Sequence, residues 1–247
     1  MKSRLKLTFV LLAGVALFYM ACKKDSTNAS QGPMTSADVI SRQIASNLSK
    51  SLSGFYGGIK IGDGIKTPSI ITSANAAPNP ICGFTVDSVL NYTTNIGDTI
   101  KSQSNGRIIF YFNCTNGQPD GYRANDSLKT TGTAPGYSFF YNITQYYVIS
   151  SLNPGITLLS VNGSLKSFVG LTYNKAGVKP TADSTSYALT GLTIDLSKQD
   201  DITSGLATFV TSGSNNFGPW NYTGTIKYLG NHMADVTING KVYHVTI

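Results

Sequence analysis

The sequence predicts a mainly β protein: an antiparallel meander forming a β-sandwich or a strongly curved sheet, with one amphipathic helix near its N-terminal end. Three observations carry this reading. The first is composition. The 247 residues include 27 Ser, 27 Thr, 19 Asn, 25 Gly, 14 Tyr and 11 Phe, and no Glu at all. Helices are filled by Glu, Lys, Ala and Leu, so a helical bundle is excluded. The second is alternation of apolar residues with Thr, Ser or Lys, as in Thr225-Ile226-Lys227-Tyr228 and Val236-Thr237-Ile238. That is the period of a strand with one buried and one wet face. The third is the placement of Asn105-Gly106, Asn162-Gly163 and Asn239-Gly240 between β-rich runs. Asn-Gly is the strongest short hairpin signal, because a type I′ turn needs positive φ at both central residues.

The elements follow in order. Residues 1–21 read as an export signal. Lys2, Arg4 and Lys6 precede an apolar run over 7–20, and Ala21 supplies the small residue before a cleavage point. The run is too short for a comfortable membrane span. Tyr19-Met20-Ala21-Cys22 resembles a bacterial lipobox, although Tyr19 stands where Leu is usual. The resemblance implies that Cys22 is acylated, that the partner of this end is a membrane, and that the protein is an outer-membrane lipoprotein facing the periplasm or the surface. More than one acyl chain is needed for stable anchoring. Residues 22–34 then form a flexible polar tether, and 35–247 a single β-rich domain.

The charge balance changes with the signal. The chain carries 19 basic and 12 acidic residues, and loss of the first 21 leaves a net charge of +4. No basic cluster with interleaved aromatics is present, so nucleic acid is excluded as a partner. Cys82 and Cys114 are the remaining cysteines. In an oxidising compartment they most simply pair. Closing a loop of about 32 residues stabilises by roughly 3–4 kcal/mol in the chain-entropy account. Two buried free thiols are the alternative.

The helix is expected over 36–53, where Ala37, Ile40, Ile44, Leu48 and Leu52 form an apolar stripe. Thr35 or Ser36 can cap its start and Gly54 its end. The three Asn-Gly pairs predict hairpins joining 98–104 to 107–113, 156–161 to 164–173, and 232–238 to 241–247. Further strands are expected over 81–92, 137–150, 187–196, 205–212 and 222–229, about eleven in all. The 120s and 175–184 read as polar loops.

The late strands, Tyr222-Thr223-Gly224-Thr225-Ile226, Leu229-Gly230-Asn231 and Asn239-Gly240-Lys241-Val242-Tyr243, resemble the ending of uncharacterised Bacteroidota cell-envelope lipoproteins. Those are Thr/Gly/Ser-rich β proteins. The resemblance implies the location and the fold class and carries no activity.

The residues show little chemistry. No Gly-x-Ser-x-Gly elbow, CxxC pair or phosphate-cradling loop occurs. His244 pairs opposite Asp235 if Asn239-Gly240 is the turn, an exposed cross-strand contact. Asp200 and Asp201 read as solvated turn residues. Asn113, Asn116, Asp120 and Asp126 make an oxygen-rich stretch without the spacing of a calcium loop. No metal and no cofactor is expected, and the protein reads as no enzyme. A glycan-acting hydrolase, the least favoured class, would need paired acids that the scattered Asp residues do not supply.

Two patterns remain. Asp-Ser/Thr triplets begin at Asp25, Asp87, Asp98, Asp126 and Asp183. They resemble an O-glycosylation motif of Bacteroidota, which makes Ser88, Thr99, Ser127 and Ser184 candidate acceptors. The alternative is that Asp-Ser is a turn and strand-end dipeptide. Aromatics cluster over 137–147 and 217–222. Most are expected in the core. Trp220, beside a Gly-Pro pair, is expected outside, with Tyr222 as a second ligand aromatic for a glycan or lipid. The function expected is a lipid-anchored envelope protein with a non-enzymatic binding or structural role. The alternative is a carrier enclosing a lipid or other hydrophobic ligand.

Overall fold

The computed structural model describes residues 36–62, 82–97, 99–153, 156–215 and 218–247. Residues 1–35, on which the expected export signal, Cys22, the expected tether, the triplet at Asp25 and Thr35 fall, therefore lie outside the described residues.

Helix α1 (Ser36–Leu52) is followed by the loop 53–62 and then by ten strands: β1 (Thr85–Ile96), β2 (Ile100–Thr115), β3 (Gln118–Ala134), β4 (Tyr137–Ser151), β5 (Leu158–Tyr173), β6 (Thr181–Asp195), β7 (Asp201–Asn215), β8 (Gly218–Gly230), β9 (Met233–Ile238) and β10 (Lys241–Thr246). They form one antiparallel meander in sequence order, and β1 and β10 are its two edges. The sheet is open, curved and single-layered, so the sandwich form of the expectation is not the one adopted.

Helix α1 ends as its sequence dictates. Gly54 takes φ +72°, its N–H donates to Ser51 O at 3.1 Å, and Phe55 N–H donates to Lys50 O at 2.9 Å. These are the two bonds of a Schellman cap. On a flat sheet a helix leaves about half its circumference wet. Here Arg42 is the one exposed side chain among 37–52. The sheet therefore curves around the helix, and Ile40, Ile44, Leu48 and Leu52 are all at most 4% exposed. The loop 53–62 continues the filling, with Tyr56, Ile59 and Ile61 buried. Helix and loop together form a plug in the concave face.

Glycines shape that face. Gly132, Gly213 and Gly224 lie directly opposite Phe139, Trp220 and Phe209. A Cβ at each would meet the facing ring at 2.3, 2.4 and 2.7 Å. An aromatic thus lies flat over each bare backbone, a pairing that tolerates strong curvature.

Two of the three expected Asn-Gly hairpins are not turns. Asn105-Gly106 sits in the middle of β2 and Asn162-Gly163 in β5, at a register shift. A Cβ at Gly106 would meet Ser127 O at 2.2 Å, and one at Gly163 would meet Tyr146 O at 2.0 Å, so close strand approach selects these glycines. Asn239-Gly240 does form the β9–β10 turn, with φ of 51° and 78°. A fourth pair, Asn116-Gly117, makes the β2–β3 turn with φ of 53° and 73°. The segment read as a polar loop in the 120s is β3, one of the longest strands. The eleven expected strands become ten because two pairs merge and β3 is added. Cys82 and Cys114 form a disulfide that ties the start of the edge strand β1 to β2.

Candidate functional site

The concave face divides into two halves. Register makes neighbours of Ile149, Val161 and Leu192 and of Leu159 and Ile194, and with the paired Ala234 and Val245 they give one half a buried apolar lining. The other half carries an unusual band: Ser104, Asp126, Thr130, Gln145, Ser167, Asp183, Thr185 and Thr211 point inward from β2 to β7 and are buried. Buried polar groups need partners, and the plug supplies several of them.

Asp126 and Gln145 face each other across β3 and β4. Ile59 N–H donates to Asp126 Oδ2 at 2.7 Å and to Gln145 Oε1 at 3.0 Å. Gln145 Nε2 donates to Ser51 O at 3.3 Å and to Tyr147 Oη at 2.9 Å. Gly58 makes this approach possible, since a Cβ there would lie 2.5 Å from Gln145 Oε1 and 2.9 Å from Asp126 Oδ2. Two strands along, Gln43 Nε2 of the helix donates to Asp183 Oδ2 at 2.8 Å. Tyr187 Oη donates to Ile44 O at 3.0 Å, and Tyr56 Oη to Asn47 Oδ1 at 2.8 Å. Thr185 and Thr211 hydroxyls bond at 2.8 Å, as do Ser104 and Thr130.

The two carboxylates are incompletely served. Asp126 Oδ1, Asp183 Oδ1 and Ser167 Oγ are buried with no hydrogen-bond partner among the described residues. Burial disfavours the charged form and lifts both Asp126 and Asp183 to about 6. The hydrogen bonds from the plug offset only part of this rise.

A small cleft opens beside the C-terminal turn of the helix. Its volume is about 100 Å³, and its lining includes Ser49, Leu52, Asp200, Asp201, Tyr228 and His232. Asp201 is 5% exposed and belongs to β7, so it is no solvated turn residue. Its oxygens accept from Asn231 N–H at 2.8 Å and His232 N–H at 3.0 Å, fixing the β8–β9 turn. Both turn residues are left-handed, with φ of 53° and 56°. Asp200 is ion-paired with Lys60 at 2.8 Å. The two acids line one cleft, but each is already engaged, and its volume is well below the ~300 Å³ at which ligand pockets begin.

The other candidate residues are scattered. Trp220 is 8% exposed rather than outside, because its ring covers Gly213 on the neighbouring strand. Tyr222 is half-buried and packs against the core. Ser127 and Ser184 are exposed on the convex face, Thr99 is exposed in the β1–β2 turn, and Ser88 is half-buried on the concave side of β1. Asp126, in the middle of β3, and Asp183, the third residue of β6, precede two of these acceptors and are buried. His244 and Asp235 form the expected exposed cross-strand pair at 2.6 Å. Asn113, Asn116, Asp120 and Asp126 are not brought together. Asp120 accepts from Thr115 at 2.5 Å while Asp126 faces the core. No cluster of metal-ligating side chains occurs among the described residues.

Sequence reasoning passed over the plug contacts. A signal existed: Asp126 shares strand parity with Tyr122, Ala124 and Leu128, Gln145 with Ile143 and Tyr147, and Asp183 with Tyr187 and Leu189. Parity alone puts all three on the buried face. No family model, curated protein or solved structure matches this chain.

Proposed function

We propose that this protein is a lipid-anchored component of a bacterial cell envelope, held at the outer membrane through Cys22, with a non-enzymatic binding or structural role. The observation that carries the non-enzymatic, non-carrier part is the occupied concave face. A carrier of acyl chains needs an apolar cavity inside its curved sheet. Here that space holds α1 and the loop 53–62, whose inward side chains are buried. The floor of the polar half also offers Asp, Gln, Ser and Thr to any guest. The envelope part rests on the signal-like residues 1–21, the lipobox-like 19–22 and the resemblance of the late strands to Bacteroidota lipoproteins. The Cys82–Cys114 disulfide suits an oxidising compartment.

A glycan hydrolase is disfavoured because Asp200 and Asp201 are spent on Lys60 and on the β8–β9 turn. No metal and no cofactor enters this reading. The test is the intact mass of the protein taken from its native membrane. The expected mass is that of residues 22–247 plus acyl groups and minus two hydrogens. Additional mass in sugar units would report glycans, which peptide mapping would then assign among Ser88, Thr99, Ser127 and Ser184. An unacylated chain would overturn the anchor and with it the envelope role.

A further inference from the structure

Two carboxylates hold the plug, each by a different part. Asp126 on β3 takes Ile59 N–H of the loop, and Asp183 on β6 takes the Gln43 amide of the helix. The arrangement is the same at both: one oxygen bonded to the plug, the other buried and unpartnered. An ionised carboxylate has about four acceptor positions, and a buried charge needs most of them filled or a cation nearby. The groups acting on Asp126 are the Ile59 and Gln145 donors and the Tyr147 phenol, with the Tyr122 phenol beyond it. Those acting on Asp183 are Gln43 of the helix, Tyr56 of the loop and Tyr187 of its own strand. None of these is a cation. A proton on each carboxyl relieves the unbalanced charge, and so does water, which reaches these groups only when the plug lifts.

We propose that the plug is held by a proton-operated latch: Asp126 and Asp183 keep helix α1 and the loop 53–62 seated while protonated, and their ionisation drives the plug to open. The direction follows from burial. Each carboxyl titrates at about 6 with the plug closed and returns toward 3.8 when it is hydrated. The closed state is fully favoured below about pH 4, loses ground between pH 4 and 6, and changes little above that. Between pH 5 and pH 7.5 the opening equilibrium is expected to rise about tenfold for each carboxylate, and about a hundredfold if both are released in one step.

Hydrogen exchange on the full, disulfide-intact chain tests this. Peptides spanning 40–61 are compared at the two pH values after correction for the intrinsic rate, with the β7–β8 hairpin, which makes fewer contacts with α1 than β9 and β10 do, as the internal reference. Protection of 40–61 should fall ten- to a hundredfold at pH 7.5 while the hairpin holds. Asp126→Asn and Asp183→Asn should each remove about tenfold of that change, and the double variant should remove it all. Equal protection at both pH values, equal loss in plug and hairpin, or pH dependence surviving in the double variant would each overturn the latch. If the variants do not fold, carboxyl ¹³C titration of the unaltered protein decides: midpoints near 6 for Asp126 and Asp183 sustain the proposal, and midpoints near 3.8 sink it.

Discussion

Asp201 and the pair Asp126–Asp183 are all carboxylates buried under the same curved sheet, yet they are built in opposite ways. Asp201 stands at the start of β7, where each oxygen meets a backbone N–H of the β8–β9 turn. Asp126 stands in the middle of β3 and Asp183 near the start of β6, and at both the plug reaches one oxygen and leaves the other bare. The first arrangement spends a charge to hold a strained turn. The second holds a helix and loop only on condition that the charge is quenched. Burial alone therefore does not say what an acid does; the count of donors on its oxygens does.

The comparison can be broken from several sides. Leu48 is fully buried on the apolar stripe of α1. Leu48→Ala should lower the unfolding free energy by about 2–5 kcal/mol, measured by denaturant titration. A loss below ~1 kcal/mol would mean that the plug contributes little to the fold, and the contrast between its two halves would be empty.

Asp126→Asn should act with the opposite sign above pH 6. The carboxyl is raised in the folded state, so the folded chain binds a proton that the unfolded chain has lost, and stability falls as pH rises toward 6. The neutral amide escapes this loss. Relative to the unaltered protein it should gain up to about 3 kcal/mol at pH 8 and nothing at pH 4. A melting series over pH 4–8 in which the two proteins run parallel would refute the assignment.

Asp201→Ala should cost about 1–2 kcal/mol, because it leaves the Asn231 and His232 N–H groups without their acceptor while both residues remain left-handed. Faster amide exchange confined to the β8–β9 turn is the accompanying signature. The smallest effect is expected at the His244–Asp235 pair, where His244 is 76% exposed. His244→Ala should change stability by less than about 0.5 kcal/mol at any pH from 5 to 8. A larger effect would give this exposed pair a role that its geometry does not.

Much of the fold was legible in local pattern. The stripe at Ile40, Ile44, Leu48 and Leu52 has the helical period, Gly54 ends the helix in the conformation expected of it, and alternation in β9 and β10 sets both strands and their register around Asn239-Gly240. Counting offered the pairing of Cys82 with Cys114 beside two free thiols, and the fold forms the bond. Three of the departures share one cause. Asn-Gly and Gly-Pro pairs suggest turns, but glycine serves two needs: positive φ at Asn116-Gly117 and Asn239-Gly240, the absence of a side chain at Gly106 and Gly213, and both at Gly163. The second need is created by a neighbouring strand, which is why Trp220 was placed outside. Of the candidate site, only the parity of Asp126, Gln145 and Asp183 was readable; that a helix and loop would come back to meet them was not.

The sequence by itself determined the class of structure, the helix with its end, most of the strands and the exposed Asp235–His244 pair. Each depends on residues close in the chain or on a simple count, and the physics that decides them is local: backbone propensity, side-chain period and turn geometry. The tertiary structure decided that the sheet stays single and open, that it curves around its own helix, and that three acids of similar appearance meet such different fates. Asp126 and Ile59 are 67 residues apart and Gln43 and Asp183 are 140 apart. The energy of a buried carboxylate is set by which donors arrive over such separations, and no local pattern records them.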